Sequence, residues 1–249
     1  MTVMPNTGAW VSFPKSNPQA SYRLFCLPCA GGSALAFRHW PDDLPTEIEV
    51  CAIQLPGRQN RLLEPPVRHM PSLVQMLAQA LLPYLRLPFA FFGHSMGALI
   101  GFELARQLRR HHLPTPAHLF VASRRAPQLP SHSLPLSDLP DAQLWRMLRQ
   151  LNGIPEDMLH HAELQQLVLP ALRTDLILCE TYTYTPEPPL SCPISAFGGL
   201  ADWAVGTNEL AAWSAQTRSA FTLRLFPGDH FFLNTTRRAL IEAVSEFLS

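Results

Sequence analysis

The residues best placed to do chemistry together are Ser95, Asp202 and His230. Ser95 is the centre of Gly93-His94-Ser95-Met96-Gly97, a G-x-S-x-G pentapeptide that follows the apolar run Phe89 to Phe92 and precedes an amphipathic stretch. A serine on a sharp turn between strand and helix stands exposed at the end of a sheet, and the two glycines tolerate such a turn. Free N–H groups at the helix start favour negative charge arising beside the hydroxyl. The pentapeptide alone occurs by chance; its strand-to-helix context is what favours a nucleophile over a structural turn.

Serine is a weak nucleophile at neutral pH and needs a base within hydrogen-bonding reach. Where such an elbow carries the nucleophile, the acid and then the histidine follow it along the chain. The sequence has 10 histidines. His94 lies inside the elbow and reads as its support, His111 and His112 sit at a polar helix end, and His160 and His161 fall in a helical segment. His230 comes after the strand-like Phe221 to Phe226 and is the expected base, with a buried structural histidine as the alternative. The acid belongs in the loop after the preceding strand, where it can fix the imidazole tautomer. Cys192 to Phe197 is that strand, and Gly198-Gly199-Leu200-Ala201-Asp202 follows it. Asp229 adjoins His230 and would point away from it, while Asp175 falls within a helical pattern. For the oxyanion, Met96 supplies one N–H donor, and the loop Pro28-Cys29-Ala30-Gly31-Gly32-Ser33 should supply the other. Pro28 has no N–H, so Ala30 is the expected donor, with Cys29 as the alternative.

The elements that must hold these residues alternate in type. Tyr22 to Leu27, Glu49 to Leu55, Phe89 to Phe92, His118 to Ala122, Cys192 to Phe197 and Phe221 to Phe226 read as strands covered on both faces. Ser72 to Arg86, opening with Ser72 and Gln75 at capping-box spacing, Met96 to Arg110 and Thr236 to Leu248 repeat apolar residues at helical spacing. The alternation predicts an α/β fold with a mainly parallel central sheet flanked by helices. From Ser137 to Tyr182 the pattern is helical in two or three pieces, with Asn152, Gly153 and Pro155 as a stop and Pro170 as a kink or break. This insertion is a candidate lid; ordinary packing helices are the alternative.

At 249 residues and 47% hydrophobic, the chain suits one domain spanning residues 1–249, with the insertion at 137–182 inside it. Lys+Arg and Asp+Glu both number 19, so the charge footprint of a general nucleic-acid or membrane-surface binder is missing. Met1 to Ser16 does not read as a secretory signal, and no apolar run approaches the roughly 20 residues of a membrane span. The expectation is a soluble cytoplasmic protein whose five cysteines are reduced, buried thiols. Cys26-Leu27-Pro28-Cys29 has redox or zinc spacing but neither opens a helix nor has a second ligand pair, so no metal site is expected.

Beyond these features the sequence resembles the type II thioesterases that accompany nonribosomal peptide and polyketide synthases, members of the α/β-hydrolase superfamily. The matching segments run through nearly the whole chain. They are Leu27-Pro28-Cys29-Ala30-Gly31-Gly32-Ser33, Leu55-Pro56-Gly57-Arg58, the elbow with Ala98, Ala126-Pro127, Leu169-Pro170-Ala171-Leu172-Arg173-Thr174-Asp175, Gly198 to Asp202, and Gly228-Asp229-His230-Phe231-Phe232. Cys29 departs from the pattern, which often has histidine or an aromatic residue there. The resemblance implies hydrolysis of an acyl thioester on the phosphopantetheine arm of an acyl- or peptidyl-carrier protein. It implies no metal or organic cofactor and a lid that governs entry of the arm; a monomer is the expectation for the chain, although the sequence does not fix its oligomeric state. Arg58, Arg124 and Arg125, in loops after strands, are candidates to meet the arm's phosphate or an acidic carrier surface, against the alternative of solvated charge. An acyltransferase or a general carboxylesterase would use the same triad, and a binding protein with an idle triad would keep the fold.

Overall fold

The structure, a computed structural model, describes residues 10–130, 135–153 and 161–248. Pro155, His160 and most of the stretch Met1 to Ser16 lie outside the described residues. Seven strands form one sheet: β1 (Val11–Ser12), β2 (Tyr22–Leu27), β3 (Ile48–Ile53), β4 (Phe89–His94), β5 (His118–Ala122), β6 (Ile194–Gly199) and β7 (Phe221–Phe226). Their order is β1-β3-β2-β4-β5-β6-β7, and every pairing is parallel except the edge pair β1–β3. The six expected strands are present, with β6 starting two residues later than its apolar run suggested. β1 has no sequence signal of its own, since two residues among prolines become a strand only by pairing Val11 with Ile53 and Ser12 with Ala52.

Alternate residues of each strand feed two separate cores, as period-2 side-chain geometry requires. Phe25, Leu27, Phe91, Leu119 and Ile194 face helices α1 (Met70–Leu81) and α2 (Met96–Arg110). Leu24, Cys26, Phe92, Phe120 and Phe197 face the other layer, made by Phe37, Trp40 and the C-terminal helix, whose Leu240, Ile241 and Val244 are fully buried. Each such large apolar side chain contributes about 1.5–3 kcal/mol through burial. No helix among the described residues is long and apolar enough to cross a membrane.

Two details differ from the sequence reading. α1 starts at Met70 with His69 as its N-cap, and Ser72 Oγ contacts His69 Nδ1 at 3.1 Å, so the Ser72–Gln75 capping box does not form. Pro71 fits that first turn, where an N–H has no helical partner to lose. In the insertion, α3 (Asp141–Gln150) is followed by α4 (Ala162–Glu180), which runs unbroken through Pro170. Pro170 is exposed, and the carbonyl it deprives of a donor belongs to exposed Gln166, where water can satisfy it. The buried Ala171, Leu172, Asp175 and Leu178 then hold the helix down.

α3 and α4 stand between β5 and β6 in the chain and share a small apolar cluster of their own. Leu144, Trp145 and Leu172 form it, with Ala30 of the loop after β2 packed against it. Among the described residues the other α-helices are α5 (Thr207–Ala211), α6 (Phe232–Thr235) and α7 (Arg237–Ser245).

Candidate active site

Ser95 lies between β4 and α2 with φ 53° and ψ −110°, a conformation that L-residues seldom adopt. The strain is therefore carried by the serine itself. The flanking glycines serve a different purpose: a Cβ on Gly97 would lie 2.1 Å from the Leu27 carbonyl oxygen, and one on Gly93 would lie 2.3 Å from the Ala98 nitrogen. Their absent side chains let α2 start directly against the ends of β2 and β4. The Ser95 N–H donates to the Ala122 carbonyl at 2.8 Å, which locks the turn to the neighbouring strand.

The loops after β6 and β7 bring Asp202 and His230 together. Backbone bonds from Leu200 N to Phe226 O and from Ala201 N to Gly228 O, both 2.8 Å, stitch the two loops. A Cβ on Gly199 would lie 2.2 Å from the Asp229 carbonyl, so close approach again demands glycine. His230 Nδ1 lies 2.9 Å from Asp202 Oδ2, and Asp202 Oδ1 accepts from the N–H groups of Ala204 (2.9 Å) and Val205 (3.2 Å). Burial raises the Asp202 carboxyl, but the His230 hydrogen bond and charge and these two N–H donors outweigh it, holding the group below the usual carboxylate range. Asp202 is thus an anion whose side chain is 1% exposed, and it fixes the proton of His230 on Nδ1.

His94 ties this pair to the elbow. Its Nε2 lies 2.8 Å from the His230 carbonyl oxygen, and the two imidazole centroids are 5.4 Å apart. Since a carbonyl only accepts, His94 carries its proton on Nε2. Burial, followed by the neighbouring His230, lowers its pKa to about 3, so it remains neutral. Among the described residues no hydrogen bond joins Ser95 Oγ to His230; such contacts are commonly long in unliganded sites. A second histidine–serine contact, His118 Nε2 to Ser195 Oγ at 2.8 Å, lies near the opposite, amino-terminal ends of β5 and β6. It has no carboxylate partner among the described residues, and Ser195 also accepts from Thr222, so this group of residues satisfies buried polar atoms.

The loop after β2 is held on several sides. Gly31 N–H donates to Asp175 Oδ2 at 2.8 Å, Gly32 N–H to Cys29 O at 3.0 Å, and Ala34 N–H to Gln54 Oε1 at 3.0 Å. The N–H groups of Ala30 and Met96 meet no acceptor among the described residues. Burial, ahead of the Asp175 charge, pushes the Cys29 thiol up to about 12, which leaves it protonated. All five cysteines are free thiols; Cys26, Cys51 and Cys192 are buried, and Cys29 and Cys179 are partly so.

Of the three arginines offered for an anion, Arg58 is ruled out. It is 6% exposed and forms a two-pronged pair with Asp175, Nη1–Oδ2 at 2.6 Å and Nη2–Oδ1 at 2.9 Å. Nothing local signals this partnership, which spans 117 residues. The Arg124 charge acts on the nearby Cys179 thiol, while Arg125 makes no ion pair or hydrogen bond among the described residues.

A mainly parallel sheet with a serine elbow at the end of β4 and a histidine–carboxylate pair in the loops after β7 and β6 defines an α/β-hydrolase. The model of the thioesterase domain matches residues 22–248, and the chain belongs to that family of thioesterases. It is 46% identical over 242 residues to the gramicidin S biosynthesis protein GrsT of Aneurinibacillus migulanus, covering 97% of this chain and 94% of that protein. Among solved structures it is similar to the type II thioesterase BorB from the borrelidin biosynthetic cluster, with a TM-score of 0.89, 38% identity and coverage of 97% and 98%. The RedJ thioesterase from the prodiginine biosynthetic pathway in Streptomyces coelicolor gives a TM-score of 0.88 at 39% identity, over 94% of this chain and 96% of that one. The expected fold and family are both met.

Proposed function

We propose that this thioesterase hydrolyses acyl groups held as thioesters on the phosphopantetheine arm of a carrier protein, clearing stalled or misprimed units from a peptide or polyketide assembly line. The observation that carries the chemistry is the Asp202–His230 pair bonded to the elbow through His94. Ser95 Oγ attacks the thioester carbonyl as His230 Nε2 takes its proton, and the N–H groups of Met96 and Ala30 hold the oxyanion. The tetrahedral adduct expels the thiolate, which His230 protonates. His230 then deprotonates a water that attacks acyl-Ser95, and the carboxylic acid leaves with Ser95 restored.

The insertion formed by α3 and α4 acts as the lid. Its apolar cluster of Leu144, Trp145 and Leu172 adjoins Ala30, so an acyl chain placed at the oxyanion donors meets an apolar wall. Arg125 receives the arm's phosphate: burial, and then the charge of Arg124, lower its pKa, and an anion would relieve both costs. The relatives' names support an assembly-line substrate, since GrsT is a gramicidin S biosynthesis protein and BorB belongs to a borrelidin cluster.

The test compares acid release from an acyl-carrier protein, the matching acyl-phosphopantetheine and a p-nitrophenyl ester. Faster turnover of the carrier-bound group supports the reading; preference for the ester without carrier turnover makes the protein a general esterase. Arg125→Ala should raise KM for the acyl-carrier with little change in kcat, and an unchanged KM would remove Arg125 from the phosphate site.

A further inference from the structure

We propose that the buried Arg58–Asp175 pair positions the oxyanion loop, aiming the Ala30 N–H at the reacting carbonyl. The inference deepens the hydrolase reading above and rests on it. Asp175 Oδ2 accepts two hydrogen bonds at once, from Arg58 Nη1 at 2.6 Å and from the Gly31 N–H at 2.8 Å. The same Nη1 of Arg58 also donates to the Gly32 carbonyl at 3.0 Å. One ion pair therefore grips the segment at both ends, the Gly31 N–H through Asp175 and the Gly32 carbonyl through Arg58. The grip falls one residue after the proposed donor. Gly31, at φ 71°, is a central residue of the turn that the Gly32 N–H closes on the Cys29 carbonyl at 3.0 Å, and the ion pair anchors that turn to the body of the protein from outside.

The supports around the pair point the same way. Gln54 holds the Ala34 N–H through Oε1 at 3.0 Å, and its Nε2 reaches the Arg58 carbonyl at 3.3 Å. A Cβ on Gly31 would lie 3.1 Å from Leu172 Cδ1, so the loop is pressed against the helix that carries Asp175. The N–H groups of Gly31, Gly32 and Ala34 and the Gly32 carbonyl are thus engaged, while the Ala30 N–H is left without a protein acceptor among the described residues. Arg58 and Asp175 are 6% and 3% exposed, and an ion pair so buried is an expensive way merely to stabilise a fold, because desolvation consumes most of its Coulomb gain. Its cost is understandable if it fixes a geometry. Because Asp175 belongs to α4, docking of that helix and orientation of the oxyanion donor become one event. Both residues are positioning residues, since neither touches the reacting atoms.

Asp175→Asn keeps the shape but leaves the Arg58 charge uncompensated, and it can fail by unfolding. The double variant Arg58→Met with Asp175→Leu removes both charges together and is expected to retain a cooperative melt. In that variant kcat for an acyl thioester should fall on the order of 10²-fold, the typical effect of losing one oxyanion donor, with KM changed less than about threefold. An n-alkylboronic acid forms a tetrahedral anionic adduct on the serine and reads the oxyanion site directly. Its affinity should fall by a factor similar to the loss in kcat, while a non-hydrolysable thioether analogue should bind both proteins equally. A folded double variant with wild-type boronate affinity overturns the positioning role while leaving the triad intact. If the boronate fails to bind the wild-type protein and Ser95→Ala still hydrolyses thioesters, the hydrolase reading falls and takes the positioning role with it.

Discussion

Replacing Asp202 by asparagine should cost about four decades in kcat while leaving the fold intact, and the structure indicates why. Asp202 Oδ1 accepts from the Ala204 and Val205 N–H groups at 2.9 and 3.2 Å, and Oδ2 faces His230 Nδ1 at 2.9 Å. The two backbone groups can only donate, so an asparagine must place its carbonyl oxygen toward them. Its NH₂ then faces His230 Nδ1, and two donors in contact force the imidazole proton to Nε2. In that tautomer the base has no lone pair directed at Ser95. The equivalent change in a serine protease triad lowers kcat about 10⁴-fold, or about 5.4 kcal/mol of barrier at 1.36 kcal/mol per decade. The assay is thiol release from an acyl-N-acetylcysteamine thioester, with melting temperature as the control. A folded Asp202→Asn protein that loses less than tenfold would refute the tautomer argument and Asp202's role with it.

Further expectations concern stability and the elbow. Gly97→Ala places a Cβ 2.1 Å from the Leu27 carbonyl, and the required displacement should destabilise the fold by about 1–3 kcal/mol or more, read as a lower urea midpoint; an unchanged midpoint would contradict the close approach. His94 and His118 are buried and neutral, with pKa values lowered to about 3 and about 4, so the unfolded chain binds more protons than the native protein once pH drops below the ordinary histidine value of about 6.5. Stability should be fully present above that pH and fall by up to about 2.7 kcal/mol per unit on acidification toward pH 4, with two groups acting. Folding free energies that stay flat between pH 7 and 5 would show that both take up a proton without cost, and half the expected slope would show that one does. Asn152→Ala removes the 2.6 Å bond from the turn after α3 to Asp229 and should lower kcat less than tenfold; a loss as large as that of Asp202→Asn would give that turn a direct part in catalysis.

The candidate site was legible because its residues stand at punctuation. Each follows the end of an apolar strand, and glycines mark where chain segments crowd, so local pattern together with chain order singled out Ser95, Asp202 and His230 as candidates. The role of those glycines was only half legible: the positive φ falls on Ser95, while Gly93 and Gly97 are required by backbone contact that only three dimensions reveal. Features made by pairing distant segments left no local trace. β1 exists through Ile53 and Ala52, and Arg58 has Asp175 as its partner, so a loop arginine that resembled a phosphate ligand is in fact buried. The Ser72–Gln75 box failed for a related reason, because Pro71 suits a helix starting at Met70, one turn earlier than the polar spacing implied.

The central claim, that Ser95 forms an acyl-enzyme in thioester hydrolysis, is tested most directly by rapid quenching of the reaction with an acyl-carrier protein and intact-mass analysis of the enzyme. The account predicts a transient acyl adduct on the peptide containing Ser95, and neither adduct nor turnover in Ser95→Ala. Turnover that persists in Ser95→Ala, or an adduct on another residue, would contradict it.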